Sequence, residues 1–447
     1  MINCKYLIIG AGESGLFLAK EIAMLGHKVV LVEQDSFGGS YIFNKEIPKF
    51  WLKTEASRFQ NALEIFKTYP TTHKTLLQYR EKIPEIINKK INSTYNYFLQ
   101  DYEVTPNLIL LNSQAKFYSK TLVEISADGE KDFIKFDQAI ICVGKNSLEK
   151  PKFISNKIKH YLHQYNFYQL KSDLSKLIIV GFTPKNLEVA NITANFGIKT
   201  IIYEKKSQKE IFNYYEPEAI EYISNSLKKK KIDAFFESEI IEVQQNSQEI
   251  EIRTIDNIVD QATHIYAEAK EKFADNVLDL IKIGVSFDFK GINTDNRART
   301  NVENIWALGN CNSKFDVENK HFRLNSFLNK IKINGAKIGL WANVSAIRDD
   351  SNNVSHILSH TDIAIDKPLV IFGVTESRAK QMYHPDIGTE TIQKIEVDGF
   401  CKVVFRKSNG QIVGVTLTGE MYQFKHYISL ALAKNVLASE VIKYIQG

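Results

Sequence analysis

The chain has 447 residues, 44% of them hydrophobic, enough for a sizeable core and, at roughly 100–200 residues per domain, for two to four domains. Lysine and arginine number 57 against 52 aspartates and glutamates, a formal charge of +5 spread over the whole length, which excludes a disordered charged tail and gives no nucleic-acid-binding face. The single dense basic run, Lys228-Lys229-Lys230-Lys231, is read as a solvated helix end.

The first residues, "MINCKYLIIGAG", run straight into an apolar strand and leave no room for a signal peptide. No apolar run approaches the roughly 18 residues of a membrane span. Four scattered cysteines (Cys4, Cys142, Cys311, Cys401) have neither CxxC pairing nor metal-ligand spacing, so no metal is expected and a reducing cytoplasm is the expected setting. In chain order, strand Tyr6–Ile9, a glycine turn, helix Gly15–Leu25 and strand Lys28–Glu33 open a doubly wound α/β unit. Helical segments at about 54–69 and 76–100 follow, then the strands of "LILLNSQAKFYS", "LVEISADGEKDFIKF" and "QAIICVG". The tyrosine-rich "HYLHQYNFYQ", His160 to Gln169, is read as a solvated connection between domains. The stretch "KLIIVGFTPKNLEVANITANFGIKTIIYEKK" repeats the strand, turn, helix, strand order and predicts a second Rossmann-like unit. Further on come a buried strand in "VENIWALGNCN", a helical "LNKIKINGAKIGLWANVSAI", a linker at Arg348–Val354 and a final α+β region with two closing helices. His27 and His73 are read as surface residues, and Trp51, Trp306 and Trp341 as packing.

Gly10-Ala11-Gly12-Glu13-Ser14-Gly15 is a G-x-G-x-x-G between a strand and a helix, and Glu33 ends the next strand. In such a turn the first glycine permits the tight bend, the second lets a pyrophosphate approach, and the third packs helix on strand. The helix N-terminus offers N–H groups to phosphate, and the acid accepts from a ribose diol.

With these residues the chain resembles the pyridine nucleotide-disulfide oxidoreductases, the group of dihydrolipoamide dehydrogenase, glutathione reductase and mercuric reductase. The first turn resembles that family's FAD-binding turn, and "GGSYIFNKEIPK" (Gly38 to Lys49) its dithiol loop. "LLNSQAKFYSKTLVEI" resembles the strand at the adenine side, with Ala115 at the contact, and "AIICVGKNSLEKP" the element closing the FAD domain, with Gly144 retained. "LIIVGFTPKNLEVA" falls where the NAD(P)H turn belongs, and "NIWALGNC" where a Gly-Asp pair meets the ribityl chain. The resemblance implies FAD, a homodimer, and an α/β fold of two Rossmann-like domains plus a C-terminal α+β dimerisation domain. Its divisions are 1–149 with 280–345 for FAD, 150–279 for a degenerate NAD(P)-like domain, and 346–447 for the dimer interface. It implies cofactor contacts at Gly10, Gly12, Ser14, Gly15, Glu33, Gly39, Ser40, Ala115, Gly144 and Asn310.

The departures are specific. Tyr41 and Glu46 stand at the two cysteine positions, and neither side chain forms a disulfide or a thiolate adduct. The lysine after Ile-Pro-Ser is Phe50, with Lys49 and Lys53 flanking it. In the second turn Thr183 and Asn186 replace the second and third glycines, and the Gly-Arg pair against the nucleotide is Ala269-Lys270. The ribityl Asp is Asn310, which still accepts a hydrogen bond. The chain ends in "EVIKYIQG" without the family's His-Pro-Thr segment. Glu188 and Glu204 remain as arguments for NAD(P)H, and Glu188 is a further catalytic candidate. Cys142 and Cys311 are read as small core residues.

Two readings follow. One is an FAD oxidoreductase passing electrons between flavin and a non-thiol acceptor such as a quinone, oxygen or another small molecule, reduced by NAD(P)H or by a partner flavoprotein or ferredoxin. The other is a non-catalytic scaffold, with FAD or only the fold kept, for a protein partner. Neither involves nucleic acid.

Overall fold

In the computed structural model the structure describes residues 1–39, 42–68, 73–145, 147–169, 174–212, 215–246, 249–273, 278–295, 298–313, 360–393 and 397–447. The Ser40 and Tyr41 positions, Trp341, the helix expected after residue 313, the linker, and the boundary at 345/346 lie outside them, as does the His73 side chain.

Apolar runs form the centre of the first sheet: Tyr6–Ile9 of β1 (Ile2–Ile9) and Val29–Val32 of β2 (Val29–Glu33) are buried, as strands covered on both faces must be, while Asn3 and Lys5 at the start of β1 are exposed. β1 pairs in parallel with β2 on one side and with β6 (Glu130–Ile141) on the other, and β2 pairs with β3 (Leu108–Asn112). β4 (Gln114–Ser119) and β5 (Leu122–Ala127) continue antiparallel from β6. Helix α1 (Glu13–Met24) buries Leu16, Leu18, Ala19 and Ile22 on one face of this sheet.

The expected helices are longer than the sequence reading gave. A π-helical turn over Ile42–Glu46 leads into α2 (Ile47–Thr68), and α3 is His73–Glu103. A buried carboxylate joins them: Glu55 accepts from Arg58 at 2.8 Å, from Lys90 at 2.7 Å and from the Tyr79 hydroxyl.

β7 (Ser147–Glu149) leads out of the first unit. β8 (Tyr161–Leu162), β9 (Lys176–Val180), β10 (Lys199–Tyr203), β11 (Asp233–Phe235) and β15 (His264–Ala267) form a parallel sheet in the order β11-β10-β9-β15-β8. Helix α4 (Pro184–Asn195) crosses from β9 to β10, and α5 (Pro217–Lys229) ends in the basic run as expected. Strands β12 (Ile240–Asn246), β13 (Glu249–Thr254) and β14 (Val259–Ala262) add an antiparallel layer. β16 (Lys270–Lys272) returns antiparallel along β7. After the hairpin of β17 (Phe287–Asp288) and β18 (Gly291–Ile292), β19 (Ile305–Ala307) rejoins the first sheet beside β6.

The last sheet is antiparallel, β20-β21-β24-β23-β22, built from His360–Ile363, Leu369–Gly373, Ile387–Ile392 (β22), Cys401–Arg406 (β23) and Ile412–Thr418 (β24). Helix α6 (Glu376–Tyr383) and the closing helices α7 (Lys425–Ala433) and α8 (Ala438–Gln446) pack on it. The architecture is the expected α/β class of two Rossmann-like sheets and a C-terminal α+β region.

One reading is corrected. The "HYLHQYNFYQ" segment is not a solvated connection: Tyr161, Leu162, Gln164, Phe167 and Tyr168 are buried. Its polar groups are taken up locally. Asn166 accepts from the His163 N–H at 2.6 Å, and the His160 ring lies 3.0 Å from Thr263 O.

Candidate functional site

The site is built on the first glycine turn. Gly10 has φ +98°, and a Cβ there would lie 2.7 Å from the Cys142 carbonyl carbon. A Cβ at Gly15 would lie 1.9 Å from Gly10 O, so the third glycine lets α1 close onto β1. Gly12 is different: nothing lies within 4 Å of its added Cβ. It faces open space, and no side chain caps the N-terminus of α1 beside it. Glu33 fixes the turn, accepting from Ala11 N–H at 2.7 Å and Asp35 N–H at 3.1 Å. Burial raises its carboxyl above the ordinary value against those bonds. Gly38 N–H bonds Ala11 O at 2.7 Å, and the Gly39 position approaches Gly12 so closely that a Cβ would meet its Cα at 3.0 Å.

These groups surround a cavity of about 540 Å³. Gly10, Gly12, Ser14, Glu33, Gly39, Ala115, Gly144 and Asn310 all line it. Asn44 and Gly309 line it as well, and a Cβ on Gly309 would lie 3.1 Å from Ser14 Oγ. Gly15 does not line the cavity and acts through packing. Cys142 lines it too, but burial pushes its thiol well up, and Cys311 is raised to about 12 for the same reason. All four cysteines are buried and free.

Glu46 and Glu188 are brought together away from that lining. Lys49 Nζ lies 2.8 Å from Glu46 and 3.7 Å from Glu188, and Lys53 lies 3.5 Å from Glu188. Burial alone would depress the Lys49 ammonium, but Glu188 and Glu46 outweigh it and hold it above its ordinary value.

Among the lining residues that the sequence reading did not single out are Tyr165 and Glu271, both from the second unit. The Tyr165 hydroxyl donates to Glu271 at 2.6 Å. The tyrosine-rich run was the signal, read the wrong way.

The second glycine turn is partly filled by its own side chains. Thr183 caps α4 by accepting from Asn186 N–H at 3.2 Å, and Pro184 offers no donor. Buried Asn186 donates to Val180 O at 2.9 Å and Gly181 O at 2.8 Å. Glu204 accepts from Phe182 N–H at 2.7 Å, repeating the role of Glu33. Among the described residues, no group of His, Cys, Asp and Glu could hold a metal, and no helix is long and apolar enough to cross a membrane.

An open glycine turn ahead of a helix, an acid on the next strand and a long cavity between them define a dinucleotide-binding protein of the doubly wound class. The family model described as pyridine nucleotide-disulphide oxidoreductase matches residues 4–325. The chain belongs to that family, whose members bind FAD and use NAD(P)H. It is similar to the dihydrolipoyl dehydrogenase of Bacillus subtilis (strain 168), 23% identical over 471 aligned residues covering 100% of this chain and 93% of that protein. To the Zymomonas mobilis dihydrolipoyl dehydrogenase it is 25% identical, over 92% of this chain and 88% of that one. Among solved structures it is similar in fold to the HOCl-induced flavoprotein disulfide reductase RclA from Escherichia coli. Its Cu(II) complex superposes with a TM-score of 0.80 at 17% identity, covering 98% of this chain and 95% of that one.

Proposed function

We propose that this chain is an FAD-dependent oxidoreductase without a dithiol centre, passing electrons from the flavin to a small non-thiol acceptor. The carrying observation is the cavity: eight of the ten residues expected to touch FAD line it together, while the sequence has Tyr41 and Glu46 at the two positions that hold cysteines in the family's dithiol loop.

The residues present fit the cofactor. In this reading the uncapped α1 N-terminus, Gly12 and the Gly39-Ser40 turn take the pyrophosphate, Glu33 a ribose diol, Ala115 the adenine side, and Ser14, Gly144 and Asn310 the ribityl end. Bound FAD supplies the two-electron chemistry, and the chain supplies position and electrostatics. Glu46 carries protons through Lys49 and Glu188. The protein works in the cytoplasm as a homodimer through the C-terminal region, with domains at 1–149 with 280–345, 150–279 and 346–447.

The second turn fits a dinucleotide pyrophosphate less well than the first, because the Thr183 cap takes the Asn186 N–H, Pro184 has none, and the Asn186 side chain sits against Gly181. No step of the proposed reaction runs through NAD(P)H. The same observation favours a second reading, a non-catalytic scaffold for a protein partner.

One experiment separates them. Purified protein is expected to be yellow, to bleach with dithionite without oxygen, and to regain colour with small acceptors faster than free reduced FAD does. Colourless protein that takes up no added FAD overturns the proposal. Yellow protein reoxidised no faster than free FAD selects the scaffold.

A further inference from the structure

The cofactor reading leaves a group of side chains that line the cavity with Asn44 unused. Segment 161–165 is stitched to 267–271 by side chains. Tyr161 donates to Ala267 O at 2.9 Å. Gln164 donates to Ala269 O at 2.8 Å and accepts from Ala269 N–H at 2.9 Å. Tyr165 donates to Glu271 at 2.6 Å. These bonds fix Tyr165 and Glu271 at the cavity wall. Asn44 lines the same cavity, and beside it the Lys45 ammonium lies 5.9 Å from the centre of the Tyr165 ring. Lys45 stands between Tyr41 and Glu46, the positions without thiols.

An aromatic face offers packing to a planar conjugated ligand. A nearby cation stabilises negative charge that develops on a carbonyl oxygen as electrons arrive. A disulfide acceptor is planar in no part and needs neither. We propose, resting on the flavin reading above, that this part of the cavity is a quinone site, in which Lys45 donates hydrogen bond and proton to the quinone oxygen and the quinone packs on Tyr165. Glu271 is a positioning residue that holds the phenol. Burial, with Lys185 nearby, lowers the Lys45 ammonium below its ordinary value and eases proton release.

The step balances. A hydride added to one quinone oxygen forms the first O–H and the ring becomes aromatic. The second oxygen, now an anion, takes a proton from Lys45 Nζ, and the neutral amine regains one from water. The two electrons come from the reduced flavin of the proposed activity.

The test uses full-length FAD-loaded protein and duroquinone. Duroquinone is titrated into the oxidised protein and followed through the flavin absorbance. Dithionite-reduced protein is then reoxidised anaerobically by duroquinone or by ferricyanide, a one-electron acceptor that needs no hydrogen-bonded oxygen. In Lys45→Met and Tyr165→Leu the duroquinone Kd is expected to rise about tenfold and the duroquinone-to-ferricyanide rate ratio to fall about tenfold. Lys45→Arg restores most of both. Glu271→Ala behaves as Tyr165→Leu, whereas Glu271→Gln, which still accepts the phenol proton, does not. Wild-type Kd and rate ratio in both Lys45→Met and Tyr165→Leu overturn the quinone site while leaving the flavin reading intact. Wild-type protein that takes up no FAD overturns both.

Discussion

Glu46 and Glu188 hold one ammonium between them: Lys49 Nζ is 2.8 Å from the first and 3.7 Å from the second. Glu46 lies on the turn leading into α2 and Glu188 on α4, so the pairing ties the first Rossmann-like unit to the helix of the second. All three side chains are partly exposed, so Glu46→Gln is expected to cost less than about 1 kcal/mol in urea unfolding. The folded Lys49 value lies above the ordinary 10.5. The contribution is therefore complete below pH 10.5 and lost as pH rises through the folded value. Equal wild-type and Lys49→Met stability across that window would show that the pair contributes nothing.

The first turn predicts opposite outcomes for two of its glycines, Gly12 and Gly15. Gly12→Ala introduces a Cβ into empty space at φ −70°, so the protein is expected to keep its melting temperature without cofactor and to lose FAD. Gly15→Ala drives a Cβ to 1.9 Å from Gly10 O and is expected to lower stability by about 2 kcal/mol or more. Melting curves of FAD-stripped protein, with flavin content measured separately, distinguish the two.

A third expectation concerns the joint with the C-terminal sheet. The Lys402 ammonium, 5% exposed, bonds Glu216 at 3.0 Å, Glu218 at 3.1 Å and Glu376 at 2.9 Å. Glu216 also accepts from the Glu376 N–H at 2.7 Å. Lys402→Met leaves buried Glu216 without its cation and is expected to cost about 3–5 kcal/mol. Hydrogen bonds from Lys380 and Lys402 hold Glu376 below its ordinary 4.5. That stability is present above pH 4.5 and lost as pH falls through the lower folded value. Acid unfolding of the wild type, compared with Glu376→Gln, reads it directly.

The second turn gives a fourth. Thr183→Ala removes the α4 cap and is expected to cost about 1 kcal/mol. NADH and NADPH are expected to leave the wild-type melting temperature unchanged and the oxidised flavin unbleached under anaerobic conditions. Rapid bleaching by either nucleotide would contradict this reading of the second turn.

The first Rossmann unit was legible because its signals are local: one turn, one helix and one acid within a single βαβ segment. Ala115, Gly144 and Asn310 came from the resemblance, and the sheet carries all three to the same cavity. Tyr165 and Glu271 were not legible. Their neighbourhood depends on Gln164 bonding both backbone groups of Ala269, a long-range pairing that leaves no periodicity. The polar residues around Tyr165 looked solvated because a sequence does not say which backbone groups they will satisfy. In the second turn Thr183, read as one of the glycine replacements, caps α4 with Pro184 at its first position.

The β7–β16 ladder sets Glu271 opposite Leu148, and both residues face the cavity. The two short strands that pair residues 147–149 with 270–272 thus also wall the cavity, so a cofactor that fills it and binds only the folded chain would stabilise that pairing as well.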